Sequence, residues 1–145
     1  MRLIFAAILC SILLPEAAIA GDLSLNIDGV RDNTGSVIGA LYVNKATFMD
    51  KTKAYQLFKV DAAAGQVKYV VHDLPAGQYA ISVCHDTNNN GKMDKNFLGA
   101  PLEGFGFSNN PEVTITTGPP GFEHVAFTYN GQNQTLSIQM TYLKF

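Results

Sequence analysis

The sequence predicts an all-β fold, a single antiparallel Greek-key β-sandwich of about seven strands. Short segments with alternating apolar and polar residues recur along the chain, and Gly, Asn, Asp and Pro separate them. With 145 residues, the chain has room for one domain, which excludes a two-domain enzyme with a separate cofactor-binding half. Ten Lys and Arg against twelve Asp and Glu give a net charge of -2 without a basic block. The charge pattern of a nucleic-acid-binding protein is therefore missing.

The N-terminal segment 1–20 is typical of a cleavable signal peptide. Met1 and Arg2 form a positive start, an almost wholly apolar run follows, and Ala-Ile-Ala at 18–20 is a pattern cut by signal peptidase. The apolar run spans about twelve residues and a membrane-spanning helix needs about twenty, so no permanent membrane span is expected. We predict one domain over 21–145 in an exported protein, periplasmic or extracellular.

The first strands follow directly after this signal. Leu23, Leu25 and Ile27 alternate with polar residues, and after the turn residues 32–35 the alternation resumes over 37–43. These two segments predict a hairpin. Over 44–57 the apolar residues become sparser, which predicts a short helical excursion.

The second half of the chain predicts the remaining strands. Segments 67–71 and 79–83 alternate around Leu-Pro-Ala-Gly at 74–77, which predicts another hairpin. Residues 86–111 are rich in Asn and Gly and predict a long loop. The last predicted strands are a short one at 113–115 and a pair at 122–129 and 136–143.

Cysteine usage predicts a fold without a disulfide. Removal of the signal peptide would take Cys10 away and leave Cys84 as the only cysteine. Cys84 and His85 are neighbours on a predicted strand, so their side chains point to opposite faces. We expect a buried structural cysteine and a hydrogen-bonded histidine rather than a Cys-His catalytic pair.

Residues 86–94, Asp-Thr-Asn-Asn-Asn-Gly-Lys-Met-Asp, have the spacing of a calcium loop. Asp86, Asn88, Asn90 and Asp94 stand at loop positions 1, 3, 5 and 9, and Gly91 stands at position 6, where the chain turns sharply. Calcium prefers hard oxygen ligands, and short Asp and Asn side chains supply them at a small cost in side-chain entropy. The pattern predicts a calcium site.

The match to a helical calcium loop is incomplete. Position 7 would contribute the backbone carbonyl of Lys92, but position 12 is Phe97 instead of the bidentate Glu. Asn96 or Glu103 is expected to replace that ligand. With two acidic ligands, the affinity should lie in the weak extracellular range of about 10⁻⁴ to 10⁻³ M. The alternative is an Asn-rich turn that needs no metal.

The segment 104–110, Gly-Phe-Gly-Phe-Ser-Asn-Asn, supports two hypotheses. Phe105, Phe107 and Asn109 could form a ligand-binding loop, in which case both rings should be exposed. Alternatively, the two rings fold back over an open end of the sandwich. We favour the second arrangement.

The segments His-Asp-x-Asn-x-Asn-Gly-Lys-Met-Asp (85–94) and Asn-Phe-Leu-Gly-x-Pro-x-Glu-Gly-x-Gly-Phe-Ser-Asn-Asn (96–110) resemble a bacterial exported family, domain of unknown function 2141. The resemblance covers nearly all of the mature chain and implies an exported location but no established activity. Residues 74–81 are also similar to the turn-strand signature of transthyretin-like and carboxypeptidase-regulatory domains, which implies an Ig-like or transthyretin-like sandwich. Transthyretin-like hydrolases end in Tyr-Arg-Gly-Ser, whereas this chain ends in Tyr-Leu-Lys-Phe.

These observations lead us to expect a non-enzymatic, monomeric, calcium-binding module at the cell envelope, with an envelope protein or a glycan as its partner. One alternative is a small-molecule hydrolase of transthyretin-like type with His85, His124 and Glu103 in a shared pocket. A second is a carbohydrate or peptide binder that uses Phe105 and Phe107.

Overall fold

Two facing β-sheets build the protein in a computed structural model that describes residues 19–144. The described chain contains two short 3-10 turns, Lys45–Thr47 and Lys51–Lys53, and one short helix α1, Phe122–Val125. The strands are β1 Ala20–Val30, β2 Ser36–Tyr42, β3 Gln56–Asp61, β4 Gly65–Pro75, β5 Gly77–Asp86, β6 Gly104–Phe107, β7 Phe127–Tyr129 and β8 Gln134–Gln139.

The smaller sheet has the strand order β4-β1-β8, and the larger has the order β3-β2-β5-β6. Strand β7 joins the larger sheet by pairing with the start of β5, on the same edge that β6 uses further along. Strands β1 and β8 run parallel, whereas every other pair in the described chain is antiparallel. The predicted all-β sandwich is confirmed.

The core lies between the sheets, and the alternation of β1 shows how the sequence specifies it. Leu23, Leu25 and Ile27 are fully buried, and the residues between them are partly exposed. Strand β2 differs, because Val37 and Leu41 face the core while Ala40 and Tyr42 are buried on the opposite face. The outer face of the larger sheet is therefore covered by other parts of the chain.

Both predicted hairpins are wrong, because the chain crosses from one sheet to the other at each predicted turn. Strand β1 pairs with β4 and β8, while β2 pairs with β3 and β5. Likewise, the turn at 74–77 links β4 of the smaller sheet to β5 of the larger one. A tight turn between alternating segments indicates a reversal of direction but does not show which strands share hydrogen bonds.

The helical excursion predicted over 44–57 is limited to the two 3-10 turns. The side chains of Asn44 and Asp50 cap them by accepting hydrogen bonds from the amides of Thr47 and Thr52. Strands β3 and β6 were not predicted, and no strand forms at 113–115. The segment predicted as a strand over 122–129 splits into α1 and β7.

The predicted signal peptide lies outside the described residues, apart from Ile19 and Ala20. Ala20, the last residue of the predicted signal peptide, is also the first residue of β1. No helix among residues 19–144 has the length and apolar character needed to cross a lipid bilayer.

Candidate functional site

Strand β5 separates the chemistry-bearing residues onto two faces. Its register places Cys84 between Ile38 of β2 and Phe105 of β6 on the outer face of the larger sheet. His85 alternates with Cys84 and points toward the smaller sheet, as expected for neighbours on a strand. The two side chains therefore do not form a Cys-His pair.

His85 is fully buried and links separate parts of the fold through hydrogen bonds. Its Nε2 lies 2.8 Å from the carbonyl oxygen of Thr34, and its Nδ1 lies 2.8 Å from the hydroxyl of Tyr142. A carbonyl only accepts, so Nε2 donates to Thr34. The ring connects β5 to the β1–β2 connection and to the C-terminal segment. In the β1–β2 connection, the backbone amide of Thr34 also donates a hydrogen bond to the Asp32 carboxylate. This hydrogen bond lowers the pKa of the Asp32 carboxyl.

The hydrolase alternative requires a shared pocket that the fold does not provide. His124 is exposed on α1, while His85 is buried and bound to Thr34 and Tyr142. Glu103 lies on the outer side of the larger sheet, where its carboxylate is 3.9 Å from the Cys84 sulfur. This arrangement contradicts the predicted grouping of His85, His124 and Glu103.

The loop after β5 begins with a buried carboxylate. Asp86 is fully buried, and its two oxygens accept hydrogen bonds from the backbone amides of Asn90 and Gly91 at 3.0 and 2.8 Å. Gly91 has a φ of 72°, in the left-handed region, with open space where a Cβ would stand. The sharp turn predicted at position 6 is thus formed by the residue best suited to it.

The polar side chains predicted as ligands meet across the turn. The amide nitrogens of Asn88 and Asn90 donate to the two oxygens of Asp94, at 2.6 and 2.8 Å. Their oxygens accept from the backbone amides of Asn90 and Lys92, at 3.1 and 2.8 Å. Asp86, Asn88, Asn90 and Asp94 therefore form one connected hydrogen-bond cluster.

Glu103 closes the loop by binding its two ends. One carboxylate oxygen accepts from the amide and hydroxyl of Thr87 at 2.8 and 3.0 Å, and the other accepts from the amide of Asp94 at 3.1 Å. Only 4% of Glu103 is exposed. The other candidate for position 12, Asn96, instead accepts hydrogen bonds from Leu98 and Ala100 within its own turn.

Two residues that support the loop were not predicted. The buried Ser36 at the start of β2 donates to the Asn89 side chain at 2.7 Å, and Lys51 donates to the carbonyl of Gly91. Both lie far from the loop in sequence, so local spacing carries no signal for them. Ser36 pairs with Asp86 across β2 and β5, which brings it next to the loop.

The segment 104–110 folds inward. Phe105 and Phe107 are only 4% and 6% exposed and pack with Ala80, Phe122 and Val125. This burial contradicts the exposed rings that the carbohydrate or peptide hypothesis requires. The rings are folded inward, as the favoured alternative expected, but they lie on β6 at the outer face of the larger sheet and not over an open end of the sandwich. The exposed Asn109 donates from its side chain to the Ala126 carbonyl at 2.8 Å, so it ties this turn to the end of α1.

The loop concentrates negative charge beside Cys84. Burial raises the pKa of the Cys84 thiol to about 12, and the nearby carboxylates of Glu103, Asp86 and Asp94 add to the shift. Within residues 19–144, no three His, Cys, Asp or Glu side chains gather tightly enough to hold a metal ion. A cation at this loop would therefore also need amide and carbonyl oxygens.

Comparison with protein families gives one match. A family described as uncharacterized proteins conserved in bacteria (DUF2141) matches residues 25–137, which is most of the chain. The chain belongs to this family. The DUF2141 match runs from the middle of β1 into β8 and includes the whole 86–103 loop, so the predicted family is confirmed.

The other comparisons add no relative. No curated protein and no solved structure matches the chain significantly. The similarity of residues 74–81 to transthyretin-like domains is therefore not confirmed. The DUF2141 description assigns no activity to the family.

Proposed function

We propose that this DUF2141 protein is an exported, non-enzymatic β-sandwich that binds calcium at residues 86–94 and acts as a binding or structural module at the cell envelope. The observation that carries the proposal is the cluster of Asp86, Asn88, Asn90 and Asp94 around the left-handed Gly91. These residues follow the spacing that oxygen ligands require around calcium.

The donor set suits a hard cation. Carboxylates and amide oxygens are calcium ligands, and none of the residues proposed as ligands offers a sulfur or imidazole group that would favour a softer metal. In the present arrangement, two amide N–H groups satisfy the Asp94 carboxylate. Calcium would take over that role and would also offset the charges of Asp86 and Glu103 nearby.

Glu103 has a positioning role in this proposal. Because its oxygens bind Thr87 and the Asp94 amide, it holds the first and last parts of the loop together. Asp86, Asn88, Asn90 and Asp94 would supply side-chain oxygens, and Lys92 would supply its carbonyl. The export prediction rests on residues 1–20 of the sequence.

Isothermal titration with calcium chloride tests the proposal. The parent should bind one calcium ion with a dissociation constant of about 10⁻⁴ to 10⁻³ M. Asp94→Asn and Asp86→Asn remove one charge each at similar size and should weaken binding about tenfold or more. The matched control is Asp61→Asn, on the exposed end of β3, which should bind like the parent. No binding heat from the folded parent up to ten millimolar calcium would refute the site.

Gly91→Ala tests the turn separately from the charges. No atom lies within 4 Å of the added Cβ, so the substitution strains only the left-handed backbone, at a cost of about 1 kcal/mol. We expect weaker calcium binding. Gly65→Ala imposes the same kind of strain in open space at the start of β4, away from the loop. It should leave calcium affinity unchanged, and equal losses in both variants would contradict the role of the turn.

A further inference from the structure

An apolar cleft opens over part of the outer face of the larger sheet. It has a volume of about 930 Å³ and lies between the sheet, the 91–101 part of the loop and the 113–119 segment. This size falls within the range of ligand pockets, about 300 to 1,000 Å³. Asp86, Asn88, Asn90 and Asp94 do not line the cleft, but Lys92, the proposed backbone ligand, does. Ligand binding to the cleft is therefore tested without calcium.

Two cross-strand rows form the floor of the cleft. Pairing across β3, β2, β5 and β6 aligns the row Lys59, Ile38, Cys84 and Phe105, and beside it the row Leu57, Ala40, Ser82 and Phe107. Four adjacent strands make this floor roughly 14 Å wide. The floor is mostly apolar and is most accessible at its β3 edge, where Leu57 and Lys59 are exposed, because Phe105 and Phe107 are only 4% and 6% exposed. An apolar floor that opens at this edge suits an extended hydrocarbon chain.

The rim of the cleft exposes apolar side chains to solvent. Leu57 is 58% exposed, Leu98 is 76% exposed, and Met49 and Ile115 are about half exposed. Leu57 belongs to β3, and the other three residues come from three separate connecting segments. All four line the same cleft. A contiguous exposed apolar surface of this kind marks a binding site.

The charged side chains that line the cleft have one sign, although the Glu103 carboxylate lies behind the floor, 3.9 Å from the Cys84 sulfur. Lys51, Lys59, Lys92 and Lys95 line it, whereas no Asp or Glu does. Within residues 19–144, none of these four lysines takes part in a salt bridge. The basic residues that do are Arg31, Lys45, Lys53, His72 and His85. The cleft thus combines a hydrocarbon floor with a positive rim.

We propose that this cleft binds a free single-chain anionic amphiphile, such as a fatty acid. Its acyl chain would lie on the apolar rows, and its carboxylate would face the lysines at the rim. A neutral chain would lose the attraction to the lysines, and a cationic chain would be repelled. Shielding by salt should weaken the binding of the anion more than that of a neutral chain.

Calorimetric titration of the purified protein with dodecanoate, below its micelle-forming concentration and in calcium-free buffer, tests this proposal. Saturable binding of one dodecanoate per chain is expected, with dodecanol at least threefold weaker and dodecyltrimethylammonium without detectable binding. Equal affinity for the three compounds, or no dodecanoate binding, would overturn it.

Variants at exposed rim positions locate the site without disturbing the core. Leu57→Asp should weaken dodecanoate binding at least tenfold, whereas Val43→Asp, at an exposed apolar residue outside the cleft, should have no effect. Lys59→Glu should weaken it about threefold and reduce its salt dependence, whereas Lys68→Glu on β4 should not. Circular dichroism checks that each variant is folded, and equal effects of cleft and control variants would contradict the proposal.

Two other occupants give distinct results. If a second copy of the chain covers the cleft, light scattering will show a dimer that Leu57→Asp dissociates. If the rim instead docks on a membrane, the protein will sediment with anionic phospholipid vesicles but will not bind free dodecanoate. Either result would overturn the fatty-acid proposal, while the calcium titration would be unaffected.

Discussion

Single residues in this protein show where polar groups are satisfied and where they are not. Among the buried side chains that the structure describes, the Tyr129 hydroxyl has no hydrogen-bond partner, although Tyr129 is only 1% exposed. The neighbouring Tyr79 differs, because its hydroxyl donates to the Pro75 carbonyl at 2.9 Å. An unpaired buried hydroxyl destabilises a fold, whereas a paired one does not.

Tyr129→Phe is therefore expected to stabilise the protein by about 1 kcal/mol, because it removes an unpaired polar atom. Tyr79→Phe is the matched comparison and should destabilise it by about 1 kcal/mol through loss of the bond to Pro75. Urea denaturation measures the free energy of unfolding of each variant. The slope of that free energy against urea concentration should equal the parent's if unfolding stays two-state. A loss of stability in Tyr129→Phe would show that its hydroxyl has a partner.

The Cys84 thiol predicts a pH dependence of stability. Its pKa is raised by burial from 9.0 to about 12, so the folded protein holds the proton more tightly than the unfolded chain. The resulting stability is full below pH 9 and is lost as the pH rises toward 12. In calcium-free buffer, the free energy of unfolding should thus fall more steeply above pH 9 for the parent than for Cys84→Ala. Identical slopes would contradict the raised pKa.

At the scale of elements, the 87–103 loop depends on Glu103 more than on any regular structure. Glu103→Ala leaves Thr87 and the Asp94 amide without their acceptors, and we expect a loss of about 2 to 3 kcal/mol. Hydrogen exchange at the Thr87 and Asp94 amides should accelerate together. The control Glu112→Ala, at an exposed site, should stay within about 0.5 kcal/mol of the parent. Unchanged exchange in Glu103→Ala would show that the loop is closed by other contacts.

Local sequence patterns predict which face of a strand is buried but not which strands pair. The alternation of Leu23, Leu25 and Ile27 predicted the buried face of β1 correctly, because one side of that strand faces the core. Strand pairing could not be predicted, since β4 pairs with β1 rather than with the β5 segment that follows it. Pairing depends on which sheet a strand joins, and turn sequences do not encode this.

The missed strands have a related cause. Phe58 is the one buried residue of strand β3, with exposed Leu57 and Lys59 on either side, so the strand lacks a clear apolar stripe. Strand β6, Gly-Phe-Gly-Phe, lies in a segment whose Gly and Asn content is typical of loops. In the candidate site, the spacing from Asp86 to Asp94 was visible in the sequence, whereas the support from Ser36 and Lys51 arises only from the tertiary fold.

At the scale of the whole molecule, the sandwich presents the proposed calcium loop and the apolar cleft on the outer side of the larger sheet. The 91–101 segment belongs to the long loop and also forms one wall of the cleft. The smaller sheet closes the core from the other side through β4, β1 and β8. His85 lies on the opposite, core-facing side of the larger sheet, so it is separated from the surface proposed for binding.

Calcium should stabilise the whole sandwich, because an ion that binds only the folded state shifts the unfolding equilibrium. At a concentration one hundred times the dissociation constant, the gain is about 2.7 kcal/mol, or a rise in Tm of roughly 5 to 10 °C. Differential scanning calorimetry with and without calcium measures this rise. Asp94→Asn should show a smaller rise, and an equal rise in that variant would place the ion elsewhere.

The most direct test is a crystal structure determined from crystals grown with calcium chloride, with anomalous data collected to locate calcium. We predict one anomalous peak within about 2.3 to 2.6 Å of oxygens from Asp86, Asn88, Asn90 and Asp94 and of the Lys92 carbonyl. The hydrogen bonds from Asn88 and Asn90 to Asp94 should then be replaced by bonds to the ion. A loop that keeps those hydrogen bonds, with no peak among these residues at millimolar calcium, would contradict the proposed site.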